Sequence, residues 1–475
     1  MLENNCYSFW NEKLGSPRFI LGPMVDHSEL AWRLLSRKYG AQLCYTPMLH
    51  ASVFIKDHRY RKENLASSPE DRPLIVQFCA NDADTFVEAC KLCVGHCEAV
   101  DLNIGCPQAI ARRGHYGSFL QEEWELLANM VSRASKEAKI PITCKIRVFK
   151  DVERTIKYAQ MLEKAGCQLL TVHGRTREQK GPLTGLASWE HIKAVKQNLR
   201  IPIFANGNIQ YLSDVHRCLI ETGVDGVMIA EGSLHNPALF RGLAPTVWEM
   251  ALEYLELVKL YPCPTSYVRG HLFKLCHHCL LLDENKNIRQ KVAVANCIEE
   301  FRIAVIELKD KYENFLKNSE NHTNCLKDYG LPDPPWICQP YVRPDPVASA
   351  QKVKKEKSAP ENEIAPCGIK RQNCDNSLSK KKLKKLLKNP RKQFSIKKAF
   401  DVCSLCPNPK GTKCTYQLCK SCCRDKSFKE NLDCSGHRFS FKTKMEKSDQ
   451  EAHCKLPKEF DVQSANCDNF KDDCL

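Results

Sequence analysis

Between Arg18 and about Phe240, short β-rich runs alternate with amphipathic segments, and this alternation restricts the chain to very few folds. The runs are Phe19–Met24, Leu43–Met48, Leu74–Ala80, Ala99–Ile104, Ile142–Val148, Leu169–His173, Pro202–Ala205 and Gly226–Ala230. Ser28–Tyr39, Ala83–Cys93, Glu122–Ala134, Val152–Ala165, Trp189–Lys196 and Leu212–Glu221 have helical spacing, and Ser28, Asp82 and Ser188 stand where N-caps belong. Eight strands alternating with helices over roughly 220 residues match the size of a (β/α)8 TIM barrel. An open doubly wound sheet is the alternative, weakened because no G-x-G-x-x-G turn follows the first strand. The expected class is therefore α/β: a TIM barrel, then an α-helical domain, then a basic, cysteine-rich tail.

The barrel is assigned to residues 1–242. Helical periodicity takes over in Val247–Lys259, Tyr267–Leu282 and Val292–Phe315, which sets a helical domain at 243–317. Residues 318–401 read as a linker, first Pro-rich and then Lys-rich, 402–440 as a Cys/His module, and 441–475 as a disordered tail. The formal net charge of +15 is concentrated, since residues 350–400 hold 16 Lys/Arg against 4 Asp/Glu. Such a stretch suits a polyanion, most commonly nucleic acid. Within it, Ser379–Lys388 has the pattern of a short basic helix ended by Pro390.

No apolar run approaches the ~18 residues of a membrane span, and Met1–Arg18 lacks the pattern of a secretory signal. The expectation is a soluble protein of the cytoplasm, the nucleus or both, with no membrane partner. Its 28 cysteines are then reduced thiols, metal ligands or catalytic groups rather than a disulfide framework.

In a barrel the chemistry sits at the C-terminal ends of the strands. Polar and glycine residues converge there: Met24–Asp26, Gln77, Asn103 with Cys106, Lys145 with Arg147, His173 with Arg175, Asn206–Asn208 and Glu231–Gly232. Cys106 leaves the fourth run in a Gly–Cys–Pro turn, and a free thiol, titrating near ~8.5, is mostly protonated at neutral pH and able to act as an acid. The glycine turns after runs seven and eight lead into helices, a common setting for phosphate. A lysine at position 145 would point into the mouth and need an anion beside it. In the tail, Cys403-x2-Cys406, Cys414, Cys419-x2-Cys422-Cys423 and Cys434-x2-His437 have zinc-ligand spacing, and eight ligands suffice for two Zn2+ ions. Lys410, Lys413, Lys420, Arg424 and Lys426 make this module basic, so RNA and protein are both open as its partners.

These residues resemble the tRNA-dihydrouridine synthase family. The motifs Gly22-Pro23-Met24, Gln77, Leu102–Pro107, Lys145-Ile146-Arg147, Val172–Arg177 and Ala205-Asn206-Gly207 stand in the family's order, and the likeness covers roughly residues 18–315. Gly105–Gln108 followed by Ala111–Gly117 is similar to the eukaryotic branch that acts on uridines 16 and 17 of the tRNA D-loop, and the tail resembles that of its vertebrate members. The resemblance implies an FMN enzyme that reduces the C5–C6 double bond of uridine in tRNA, with NADPH or NADH as reductant. It implies Cys106 as the acid that protonates C5 and Asn103 as a hydrogen-bond partner of the uracil edge. It assigns Pro23, Met24, Val25, Gln77, Lys145, His173, Asn206, Gly207, Asn208, Ala230 and Glu231 to FMN, and Arg175, Arg177 and Lys180 to the RNA. The helical domain would grip the tRNA body.

One departure stands out. Many family members carry Gly-Arg where this chain has Ala230-Glu231, so Glu231 is expected to turn from the FMN phosphate and leave its backbone N–H to serve. A flavin reductase of free pyrimidines and a non-catalytic RNA-binding protein on the same barrel remain the alternatives.

Overall fold

The computed structural model describes residues 6–317, 329–343, 401–443 and 446. They belong to two compact units, Met1–Ile364 and Ala365–Leu475. The Lys-rich stretch with its Ser379–Lys388 island, and the expected tail from residue 447 onward, lie outside the described residues.

Eight parallel strands form the first unit's centre: β1 Phe19–Leu21, β2 Leu43–Tyr45, β3 Leu74–Cys79, β4 Ala99–Ile104, β5 Ile142–Arg147, β6 Leu170–His173, β7 Ile203–Asn206 and β8 Gly226–Ile229. Each pairs with the next, and β1 pairs with β8 through Phe19–Val227, Ile20–Met228 and Leu21–Ile229, so the sheet closes into a barrel. A further two-residue strand, Leu49–His50, pairs with the end of β3. The strands read as nearly continuous apolar runs because both faces are covered, which is why β3, β4 and β5 are buried at every position. Ile20, Leu43, Tyr45, Ile75, Ala99, Leu169, Phe204 and Met228 cluster together with Phe9 and Leu14 from the N-terminal segment. The open sheet is thereby excluded.

Register sets up the mouth. Asn103 lies beside Lys145, Arg147 beside His173, and His173 beside Asn206. Four adjacent strands thus deliver polar side chains to one rim.

The surrounding helices follow the expected segments to within a few residues. Asp82 accepts from the Thr85 N–H at 2.8 Å and Ser188 from the His191 N–H at 3.3 Å, as N-caps do. Ser28 does not cap its helix, which spans Leu30–Lys38 with Glu29 at the cap position. Its hydroxyl instead accepts from the Met24 N–H at 3.0 Å, because the turn after β1 folds back onto it.

The helical region comprises Val247–Leu260, Thr265–Leu275, His277–Leu281, Lys286–Val294 and Ile298–Lys317. Two segments expected as single helices are therefore each two pieces, broken at Cys276 and at Ala295–Cys297. Across the second break Val292, Ala295, Phe301 and Ala304 stay buried, so the apolar pattern runs on while the backbone does not. Glu300 accepts from the Asn296 N–H at 2.7 Å and starts the new helix.

Barrel and helical region join through a buried carboxylate. Glu29 accepts from the Tyr254 hydroxyl at 2.7 Å and pairs with His271 Nε2 at 3.0 Å, and Trp32 stacks on the His271 ring at 4.0 Å. Burial alone would raise the Glu29 carboxyl. The charge of His271 and the two hydrogen bonds outweigh it and hold the group below its ordinary value. A depressed carboxyl contributes stability above its unfolded pKa and loses it as pH falls through the folded value. Replacing Glu29 by Gln should cost about 1–3 kcal/mol at pH 7 and flatten the acid arm of the stability profile. Urea unfolding followed from pH 3 to 8 reads both; an unchanged acid arm would remove Glu29 from the linkage.

Candidate active site

A cavity of about 1030 Å³ opens at the C-terminal ends of β5–β8, lined by Arg147, His173, Arg175, Asn206–Asn208 and Ala230–Gly232 among others. Its size suits a cofactor rather than a single small anion. Cys106, Asn103, Gln77, Lys145 and Pro23–Val25 do not line this cavity. They stand on the ends of β1, β3, β4 and β5, next to it around the mouth.

A hydrogen-bonded relay runs from inside the barrel to the cysteine. Asp101 Oδ1 accepts from the Thr143 hydroxyl at 2.6 Å, and its Oδ2 accepts from Gln77 Nε2 at 2.8 Å. Gln77 Oε1 then accepts from Asn103 Nδ2 at 2.9 Å. Asn103 Oδ1 finally accepts from the backbone N–H groups of Gly105 at 3.1 Å and Cys106 at 2.9 Å. An ionised carboxylate can only accept, so each amide in the series has one permitted orientation. The carboxylate fixes the turn that carries the thiol.

The other side of the turn is held from farther along the chain. The Ser118 N–H and hydroxyl donate to Cys106 O at 3.1 and 3.0 Å. This needs Gly117, whose φ is +66° and whose Cβ, were there one, would meet Cys106 O at 2.7 Å. Cys106 itself is a free thiol of intermediate exposure.

The loop after β6 reaches over this turn. Lys180 Nζ donates to Pro107 O at 2.8 Å, and Arg177 Nη1 donates to Ser118 O at 3.4 Å. Arg175 is committed elsewhere, donating to Gly185 O, to Asn208 Oδ1 at 3.1 Å and to His173 Nε2 at 3.1 Å. A guanidinium cannot accept, so His173 Nε2 is the unprotonated nitrogen. Arg147, named in the sequence only as part of a strand end, holds the same loop through Thr176 O and Gln179 O at 2.6 and 2.8 Å.

Positive charge is in excess around the mouth. Lys145 Nζ donates to Asn206 Oδ1 at 2.9 Å, a neutral partner. Burial, and then Arg147, lower the lysine to about 8 despite Asp101 and Cys106 nearby. His173 is pushed well below its ordinary value by burial and by the charges of Lys145, Arg147 and Arg175. Asp101 is raised to about 6 by burial, against the hydrogen bonds from Thr143 and Gln77 and the charge of Lys145. Arg147 Nε is buried and unpaired. Gly207 is needed by the packing of the site itself: its φ is +115°, and a Cβ there would meet the Ala187 Cβ at 2.6 Å and the His173 ring at 3.3 Å. Buried cations and an orphan donor fit an anionic cofactor.

In the turn after β1, Pro23 and Met24 are half-buried, Met24 packing against the core, while Val25 is 53% exposed. Glu231 does not simply turn away. Its carboxylate is paired with Arg343, 112 residues on, at 2.6 Å.

In the second unit, Cys403, Cys406, Cys419 and Cys422 form one set, and Cys414, Cys423, Cys434 and His437 another, with ligand atoms within 4.8 Å of each other in each. Either set could hold a metal ion. Every described cysteine is a free thiol.

The chain matches the family "Dihydrouridine synthase (Dus)" over residues 20–324. It is 54% identical to a mouse protein named tRNA-dihydrouridine(16/17) synthase [NAD(P)(+)]-like, over 93% of this chain and 92% of that one. It is 44% identical to the Saccharomyces cerevisiae tRNA-dihydrouridine(16/17) synthase [NAD(P)(+)], over 70% of this chain and 85% of that one. A human tRNA-dihydrouridine(20a/20b) synthase [NAD(P)+]-like protein is 35% identical, over 62% of this chain and 90% of that one. This chain belongs to the dihydrouridine synthase family of oxidoreductases.

The relay makes its own prediction. Gln77→Met keeps the side-chain length and removes both amide contacts, so Asn103 is free to rotate. The variant should lose about 1–3 kcal/mol of stability, and the Gly105 and Cys106 amides should exchange with solvent deuterium faster than in the parent. Unchanged protection of those two amides would break the link between Asp101 and the cysteine turn.

Proposed function

We propose that this chain reduces the C5–C6 double bond of uridines 16 and 17 in the D-loop of tRNA, using NADPH or NADH through a bound FMN. The observation that carries this reading is the thiol of Cys106, held from both sides beside a cationic cavity at the mouth of the barrel. Identity to the (16/17) relatives, 54% and 44%, exceeds the 35% to the (20a/20b) relative, which favours positions 16 and 17.

A bound, reduced FMN would supply the hydride equivalent that uracil C6 needs. Lys145, His173, Asn206–Asn208 and the Ala230–Glu231 turn would hold it, with Gln77 and Pro23–Val25 on the neighbouring strand ends. Arg175, expected at the RNA, is read here as part of this group instead, because it is bound to His173 and Asn208. Cys106 delivers the proton to C5 and recovers it from solvent. Asn103 spends Oδ1 and one N–H on the relay, which leaves its second N–H for the uracil edge. Arg177 and Lys180 overhang the cysteine turn, where a nucleotide drawn out of the D-loop would enter. The helical region takes the tRNA body by shape and phosphate contacts.

The metal sets of the tail are read as two structural Zn2+ sites. Tetrahedral Zn–S bonds of about 2.3 Å require sulfurs about 3.8 Å apart. Cys406 lies 3.5 Å from Cys419 and 3.6 Å from Cys422, and Cys434 lies 4.0 Å from Cys414. With so few apolar residues, this segment owes its fold to the metal.

The decisive assay incubates full-length protein, NADPH and unmodified tRNA, then maps dihydrouridine. The product should appear at 16 and 17, and Cys106→Ala should lower its rate by about 10²- to 10⁴-fold. A protein that binds tRNA and leaves every uridine intact would overturn the reading. For zinc, elemental analysis should find two ions per chain, one per set. Cys403→Ser and Cys434→Ser should each lose a different one, and zinc content unchanged in both would refute the assignment.

A further inference from the structure

Residues 331–343, beyond the helix Ile298–Lys317, are tied down along their length. Ile337 bridges to Thr246, Trp336 O accepts from the Val247 N–H at 2.9 Å, and the Cys338 N–H donates to Pro245 O at 2.9 Å. Trp336 is buried and stacks on Tyr312, from the helix Ile298–Lys317, at 4.8 Å. The buried Gln339 amide donates to Asp333 O and Pro334 O at 2.9 and 2.8 Å. His278 Nε2 donates to Pro340 O at 3.1 Å, and Tyr341 packs between His235 and His277 with ring centroids 5.8 and 4.9 Å away. This strap therefore has a fixed course, and its next two residues, Val342 and Arg343, enter the wall of the large cavity.

There Arg343 meets Glu231 in a fork. Nη2 donates to Oε1 at 2.6 Å and Oε2 at 2.8 Å, and Nε donates to Oε2 at 3.1 Å. Both side chains are over two-fifths exposed, at 42% and 43%. A pair this exposed adds little to stability, so neither the strap nor the turn after β8 depends on it. Arg175 lies near the pair: burial lowers its pKa first, the charge of Arg343 lowers it further, and Glu231 works the other way.

We propose that Arg343 is the cationic ligand of the FMN phosphate, held in place by Glu231 until the phosphate takes over the fork. The inference rests on the flavin reading above. A guanidinium fits a phosphate bidentately as it fits a carboxylate, and a phosphomonoester brings nearly two negative charges against one. Glu231 thus keeps the arginine aimed at the turn after β8 while the cavity is empty. Cofactor retention then depends on the strap, and through Tyr312 on the seating of the helix Ile298–Lys317.

The test titrates full-length protein with FMN and with riboflavin, following flavin fluorescence. Arg343→Ala should weaken FMN by about 10- to 100-fold and leave riboflavin unchanged, with Arg343→Lys between the two. Glu231→Gln should tighten FMN in the parent, since it removes the carboxylate that competes with the phosphate for the fork. Equal loss of both flavins, no loss of FMN, or a parent that binds riboflavin as tightly as FMN would overturn the proposal while the flavin reading stands. A parent that binds neither flavin would overturn both.

Discussion

The closure of β1 onto β8 is the constraint from which the rest follows. A closed parallel sheet has no edge strand, and the tilt and register of its eight strands bring their C-terminal ends into one ring. Side chains far apart in sequence then meet. Lys145 touches Asn206 across 61 positions, and Arg147 lies beside His173 without any local sequence signal pairing them. The ring collects cations faster than anions, and burial then works against them. The lowered pKa of Lys145 and the neutral His173 are consequences of that geometry. Such a ring is stable to the extent that something anionic occupies it.

The buried carboxylate of this region, Asp101, faces inward rather than toward the cavity. Its position explains why it is an aspartate. An acceptor with no donor of its own removes the two-fold ambiguity of every amide in the series, so the Cys106 turn inherits a single geometry. Burial raises this carboxyl to about 6, which means that charge is maintained at some cost near neutral pH. A structural role alone would be served better by an apolar side chain. Fixing the direction of a reacting thiol requires the polar relay.

Much of this architecture is legible in the order of the residues. Continuous apolar runs on strands covered on both faces point to the barrel, and Gly105-Cys106-Pro107 marks the turn that carries the candidate thiol. The features that escape such a reading depend on contacts without a local period. The grip of Ser118 on Cys106 needs Gly117 at φ +66°, and nothing in the spacing of those residues announces it. Apolar periodicity carries on through the breaks at Cys276 and Ala295–Cys297 because the buried face continues there. The ligand sets of the tail interleave: Cys414 lies between Cys406 and Cys419 in sequence yet belongs with Cys434, and adjacent Cys422 and Cys423 go to different sets. Spacing picks out the candidate ligands, while only the fold sorts them into two sets.

The Ala230-Glu231 pair shows how one departure from a family pattern is resolved at a distance. A carboxylate at the turn after β8 looks hostile to a phosphate when the turn is considered alone. The strap changes its meaning, because Glu231 has a cation in its grip that comes from beyond the helical region. Moving a phosphate ligand from the barrel to a distant segment alters what stabilises the cofactor. With arginine in the turn itself, affinity would be a property of the barrel. With Arg343 on the strap, it becomes a joint property of barrel, helices and strap, so whatever shifts the helices on their Glu29–His271 junction also reaches the cofactor site.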